Sequence, residues 1–267
     1  MSLADSMTAA PVPVAAPLLR GAGLSVRYGG VHALRDMDFR LERGEFCGVI
    51  GPNGAGKTTL FDVISGHRPA SSGRLEYGDR DISAKSAAWR ARHGLRRTFQ
   101  RQQVFGSLTV EENVLAAQDW RGGEGGFLYD LIGSPGRSEL RERRRARVAA
   151  VLEQCGLGEN RQRRAGTLPI GAARMVELAR AVVDDPQALL LDEPTSGLGR
   201  VDTALLADVV QRLRADTGCS VLLIEHDVRF VMENSDRVVV MHLGNTLAEG
   251  TPNEVQANAE VIQAYLG

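Results

Sequence analysis

The sequence is poor in aromatic residues, has almost no net charge and contains no long apolar run. Aromatic residues are 5% of the 267 positions and the formal net charge is -1. A chain so close to neutral has no global field to recruit nucleic acid, so no nucleic-acid partner is expected. No stretch approaches the roughly 20 consecutive apolar residues of a membrane span, so membrane association has to come through a partner. Cysteine is scarce too. Cys47, Cys155 and Cys219 are odd in number and scattered, which excludes a disulfide framework or a cysteine metal cage and fits a reducing compartment. Residues 1–17 lack Lys and Arg, and Asp5 stands where a signal peptide needs positive charge. Pro11, Pro13 and Pro17 interrupt what would be its apolar core. These residues read as a disordered, Ala- and Pro-rich tail on a cytoplasmic protein.

What is present is more telling. Gly51, Pro52, Asn53, Gly54, Ala55, Gly56, Lys57, Thr58 and Thr59 fit the pattern G-x-x-x-x-G-K-[ST]. The run follows an apolar strand candidate, Phe46 to Ile50, and precedes a helix candidate, Thr58 to Ser65, closed by Gly66. Strand, glycine loop and helix form the context in which backbone N–H groups turn inward to cradle phosphates. Lys57 would reach the β- and γ-phosphates and the Thr58 hydroxyl would ligate Mg2+.

Alternating apolar and polar residues predict half-buried strands over Gly23–Tyr28, Asp36–Leu41 and Arg74–Tyr77, an antiparallel layer beside the phosphate-loop strand. Continuous apolar runs over Ala188–Leu191 and Ser220–Glu225 predict buried parallel strands. Arg200 to Asp216 reads as the helix between them, and Arg237–His242 with Thr246–Glu249 as a terminal hairpin. From Ser83 to Gly166 the pattern turns helical, over Val110–Gln118 and Val148–Cys155, with a glycine-rich break at Gly122–Gly126. The arginine-rich stretch Arg137–Arg147 is interleaved with Glu139 and Glu142 and lacks aromatics, so it reads as a solvated helix face.

Three further positions fit catalysis at a phosphate. Asp192 and Glu193 leave a buried strand together. One carboxylate there can hold Mg2+ through water and the other can polarise the attacking water. His226 follows another buried strand, on the sheet edge where open α/β folds bind ligands. A histidine at a strand end is more often structural, and its place on that edge favours a phosphate contact. Gln100 ends a short strand-like segment and Tyr28 is an aromatic able to stack on a base. Each of these two carries little weight alone.

Taken in order, these residues resemble ATP-binding cassette ATPases over essentially the whole chain after residue 18. The resemblance implies an α/β fold: a P-loop NTPase core with a mixed, mainly parallel sheet and an antiparallel β layer. It also implies one ATPase domain over 18–267, with an inserted α-helical subdomain at approximately 83–185. Tyr28 matches the adenine-stacking aromatic, Gly51–Thr59 the Walker A loop, Gln100 the Q-loop, Asp192 and Glu193 Walker B with its catalytic carboxylate, and His226 the switch histidine. Gln100 would join Thr58 and Asp192 around the metal. ATP and Mg2+ are the implied cofactors. Within the family the chain is similar to the ATPase subunits of branched-chain amino acid importers. That likeness rests on Arg97–Phe105, Phe127–Gly166, Ile224–Asp227, and the tail from Ala248 to Val255 and Ala264 to Gly267. Lipid or lipopolysaccharide exporters and urea or amide importers are the alternatives.

The sequence departs from the family at two places. The signature, usually Leu-Ser-Gly-Gly-Gln, falls on Leu168-Pro-Ile-Gly-Ala172, and Gly199 stands where the D-loop usually has aspartate. Gly171 is the remaining residue able to meet a γ-phosphate in trans, on a second ATPase subunit, either non-identical or a copy of this chain. The loss of the signature serine motivates an expectation of two unequal composite sites. The family further implies integral-membrane permease subunits, an external solute-binding protein and a peripheral position on the cytoplasmic face of the membrane. A non-transport ATPase acting on ribosomes or DNA is disfavoured by a single cassette without sustained heptads, and a non-hydrolysing regulatory subunit by Glu193 and His226.

Overall fold

The structure is a computed structural model, which describes residues 16–99, 103–118 and 138–266. Most of the expected tail, the glycine-rich break at Gly122–Gly126 and Gln100 lie outside the described residues.

The chain opens with two long strands, β1 (Leu19–Tyr28) and β2 (Val31–Leu41), paired antiparallel from Leu19 with Leu41 to Tyr28 with Val31. Both run longer than the alternation predicts. Then come β3 (Phe46–Ile50), α1 (Lys57–Ser65), β4 (Ser72–Tyr77) and β5 (Arg80–Asp81), followed by α2 (Ala87–Arg92) and β6 (Leu95–Arg97). The helical segment supplies α3 (Val110–Ala117), α4 (Ser138–Gln154) and α5 (Ile170–Val182). After it come β7 (Ala188–Asp192), α6 (Arg200–Thr217), β8 (Ser220–Ile224), α7 (Val228–Asn234), β9 (Arg237–His242), β10 (Asn245–Gly250), α8 (Pro252–Ala257) and α9 (Ala259–Leu266).

The strands form two sheets. The four-stranded sheet, β2-β1-β4-β5, is antiparallel throughout. The six-stranded sheet has the order β10-β9-β3-β8-β7-β6, with all neighbours parallel except the hairpin β9–β10. Period-two geometry sends successive side chains of each strand to opposite faces. Cys47, Val49, Leu190, Leu222 and Val239 therefore face α1 and the antiparallel sheet. Phe46, Ile50, Leu189, Leu191, Val221 and Val240 face the helices. Burial on both faces explains why β3, β7 and β8 read as unbroken apolar runs.

The stretches Arg137–Arg147 and Val148–Cys155, distinct in composition, lie largely in one helix, α4. Its C-terminal half buries Val148, Val151 and Leu152 against α3 and α5. Its arginine-rich half extends over the surface, where Arg143 pairs with Glu139 one turn earlier. At the start of the predicted helical segment, β6 is a strand of the parallel sheet, paired with β7. The three cysteines are free and buried, in β3, just after α4 and just before β8. Burial pushes each thiol up to about 12.

Candidate functional site: a phosphate loop beside Glu193 and His226

Between β3 and α1 the backbone turns through conformations closed to most side chains. Gly56 caps α1 at φ 103, and a Cβ there would run into the Ala33 carbonyl. Gly51, at φ 153, packs so closely on Met241 that a Cβ would collide with its carbonyl. α1 starts with no side-chain cap and no acidic residue in its first turn. Its N–H groups and positive dipole end are left for an anion.

The loop borders a cavity of about 360 Å³ lined by Asn53 to Thr59, Ala33, Glu193 and His226. Gly51 and Pro52 stand behind this lining. Their carbonyls accept hydrogen bonds from Lys57 Nζ at 2.6 and 3.1 Å. Lys57 is buried, which pulls its ammonium below its ordinary pKa, while the Glu193 charge pushes the other way. A cation held on two backbone carbonyls is able to exchange them for phosphate oxygens.

Across the cavity, Glu193 follows β7 with its backbone in the left-handed region, φ 47. Such a conformation costs a non-glycine residue about 1–3 kcal/mol and persists only where surrounding structure enforces it. The enforcing contacts are visible. Glu193 N–H donates to the Ile224 carbonyl at 2.9 Å, and its carboxylate lies 2.8 Å from His226 Nε2. Glu225, a buried residue at the end of β8, fixes both neighbours. Its Oε1 accepts from Thr195 N–H at 2.7 Å and Thr195 Oγ1 at 2.6 Å, and its Oε2 from His226 N–H at 3.0 Å. In sequence Glu225 stands out only as the end of a strand and as part of the importer-like stretch Ile224–Asp227, with no role of its own. A carboxylate ending a wholly apolar run beside His226 was the available signal.

Asp192 is brought close by but does not line the cavity. Its Oδ2 accepts from Arg97 Nη2 at 2.8 Å. Burial raises the Asp192 carboxyl above its ordinary value, and Arg97 opposes that without cancelling it. Arg97 also donates from Nη1 to Asp62 Oδ1 at 2.6 Å and Ser65 Oγ at 2.9 Å. In sequence it is only the first residue of the importer-like stretch Arg97–Phe105, and nothing separates it from the arginines around it.

Tyr28 ends β1 at the surface, outside the cavity lining, with the Arg68 guanidinium 4.2 Å from its ring centroid. Gln100 lies outside the described residues, but both flanks of its segment are held by α5. Arg174 donates to the Phe99 carbonyl at 2.9 Å. Glu177 accepts from Gln103 N–H, and Arg180 donates to the Gln103 carbonyl. Gly171 is in the first turn of α5, away from this cavity. Pro169 caps that helix without a side-chain hydrogen bond. A Cβ at Gly171 would strike the Asp202 carboxylate of α6.

A loop of this form, with a carboxylate and an imidazole opposite it, is suited to holding and hydrolysing a nucleotide phosphate. Comparison with known proteins names the setting. Residues 34–196 match the family described as "ABC transporter". Residues 245–267 match "Branched-chain amino acid ATP-binding cassette transporter". The chain is 39% identical to the high-affinity branched-chain amino acid transport ATP-binding protein LivG of Salmonella typhimurium, over 94% of this chain and 98% of that one. BraF of Pseudomonas aeruginosa, with the same description, is 38% identical over the same shares. The chain belongs to the ABC transporter family. Among solved structures, the ADP conformation of an ATP-binding cassette of an ABC transporter superposes on this ATPase with a TM-score of 0.81 and 30% identity, over 94% of this chain and 99% of that one. The expected P-loop fold, with parallel and antiparallel sheets and helices, is thereby borne out, as is ATP as the nucleotide. Among the described residues no helix is long and apolar enough to cross a membrane.

Proposed function

We propose that this ATPase drives import of branched-chain or closely related amino acids through a separate permease. The observation that carries the solute class is the match of residues 245–267 to the branched-chain amino acid cassettes, a segment outside the ATPase core that ABC proteins share. The names of the relatives agree with it.

In this reading the ATP phosphates rest on Gly51–Thr59, with Lys57 moving from the loop carbonyls onto the β- and γ-phosphates. Tyr28, at the exposed end of β1, stacks on the adenine. Glu193 orients and polarises the attacking water, and His226, now hydrogen-bonded to Glu193, contacts the γ-phosphate. Among the described residues no group of three or more His, Cys, Asp or Glu could hold a metal by itself. Mg2+ fits nonetheless, because it is commonly held by one or two carboxylates together with substrate phosphates. Asp192 and Thr58 offer the hard oxygens for it, with Gln100 as the third group. The ion would neutralise charge on the β- and γ-phosphate oxygens.

The site is completed in trans, by Gly171 and its helix from a second ATPase subunit, non-identical or a copy. The pair sits on the cytoplasmic face of the membrane beneath permease subunits fed by a solute-binding protein.

The test is uptake of labelled leucine, isoleucine, valine, urea and short amides in cells lacking this subunit. Branched-chain uptake should disappear, return with the wild-type chain, and stay lower by on the order of 10²–10⁴-fold with Glu193→Gln, which removes the general base. Intact branched-chain uptake in the deletion strain would overturn the import reading.

A further inference from the structure

Arg97 stands at the meeting point of three elements that carry the site. It closes β6, three residues before Gln100, and its side chain is 6% exposed. One face of the guanidinium fork grips Asp62 and Ser65 of α1, and the other nitrogen grips Asp192 at the end of β7. The Phe61 and Phe99 rings lie 5.6 and 5.2 Å from it. Arg97 does not line the phosphate cavity, and its two terminal guanidinium nitrogens are spent on Asp62, Ser65 and Asp192.

The choice of Asp62 as its partner matters. Asp62 lies four residues after Thr58, and residues four apart share one face of a helix. The chain Thr58–α1–Asp62–Arg97–Asp192 therefore ties the hydroxyl in the first turn of α1 to the carboxylate at the end of β7. Mg2+ demands near-ideal octahedral geometry, so it tolerates little drift between its oxygen donors. A planar, bidentate guanidinium sets such a spacing, and a single ammonium does not.

We propose that Arg97 is a positioning residue for the metal, a strut that sets Asp192 against the face of α1 that carries Thr58. The inference rests on the reading of Asp192 and Thr58 as Mg2+ residues.

The experiment measures binding of a fluorescent ATP analogue to the full chain, with and without Mg2+, for wild type, Arg97→Lys, Arg97→Met and Asp192→Asn. Outer partners of metal ligands typically matter by 10–100-fold in metal affinity, so Arg97→Lys should raise the Mg2+ concentration for half-maximal binding about tenfold and leave metal-free binding within about twofold. Combining Arg97→Lys with Asp192→Asn should add little to Asp192→Asn alone. Asp62→Ala with Ser65→Ala cuts both ties to α1 without touching Asp192, and gives the same sign even if both Arg97 variants fold poorly. An unchanged Mg2+ requirement in Arg97→Lys and in Asp62→Ala with Ser65→Ala, or an equal loss of metal-free binding, would overturn the strut. Wild-type binding indifferent to Mg2+ and to Asp192→Asn would overturn the metal reading itself, and the strut with it.

Discussion

The starts of α1 and α5 are left open alike, although Gly56 enters from the left-handed region and Pro169 from extended backbone. A glycine or a proline caps the helix, no side chain accepts a hydrogen bond from the first turn, and neither first turn contains an acidic residue. Their surroundings differ. α1 opens into a cavity with its own lysine, and with Glu193 and His226 opposite. α5 opens beside Ile170, which is 60% exposed, and its Gly171 packs on the Asp202 carboxylate. One helix end is equipped to meet an anion within the same chain. The other brings a dipole and a glycine but neither the hydroxyl nor the amide of the usual family signature. A helix N-terminus is thus only a platform, and the groups around it decide how firmly a phosphate is held.

The largest expected effect comes from stripping the better-equipped end. Lys57→Ala removes a charged hydrogen-bond donor worth about 1.5–3 kcal/mol, so ATP affinity should fall by on the order of tenfold to a hundredfold. Calorimetric titration of the purified chain measures it. Affinity within error of wild type would mean that α1 alone suffices and that the two ends are more alike than their surroundings suggest.

Restoring the poorer end should act in the opposite direction. Pro169→Ser with Ala172→Gln returns the missing hydroxyl and amide, and turnover of the assembled complex should rise by about tenfold. Unchanged turnover would remove the case for unequal composite sites. The smallest effect is expected at Asp202, whose charge faces the positive end of α5. Asp202→Asn should lower the apparent KM for ATP of the complex by about two- to fivefold, the range of a helix-dipole interaction of 0.3–1 kcal/mol. The shift should shrink at high salt. A salt-independent change would point to altered packing at Gly171 instead.

The phosphate loop was legible residue by residue because its glycines are dictated by backbone geometry, and strands β3, β7 and β8 because burial on two faces leaves only apolar residues. The same reasoning brought Glu193 and His226 to the loop, and they line one cavity with it. Other features left no readable trace. Arg97 resembles any surface arginine in sequence, and only the fold shows it buried among Asp62, Ser65 and Asp192. The left-handed backbone at Glu193 has no residue signature, since it is enforced by β8 across a long stretch of chain. The composition change between Arg147 and Val148 suggested two segments. The helix that joins them is continuous because one half rests on the core, while the other is held by the Arg143–Glu139 pair and by Arg147, which bonds to the Val183 carbonyl and to Asp185.

The three buried thiols have a practical consequence. At neutral pH a thiol raised to about 12 holds almost no thiolate, so an alkylating reagent has neither access nor a nucleophile until the chain opens locally. Cys47 sits in the strand behind the phosphate loop, Cys155 in the helical region and Cys219 at the base of β8. The protein therefore carries three built-in clocks. Their separate labelling rates, with and without ATP, would time the opening of each region with no probe added.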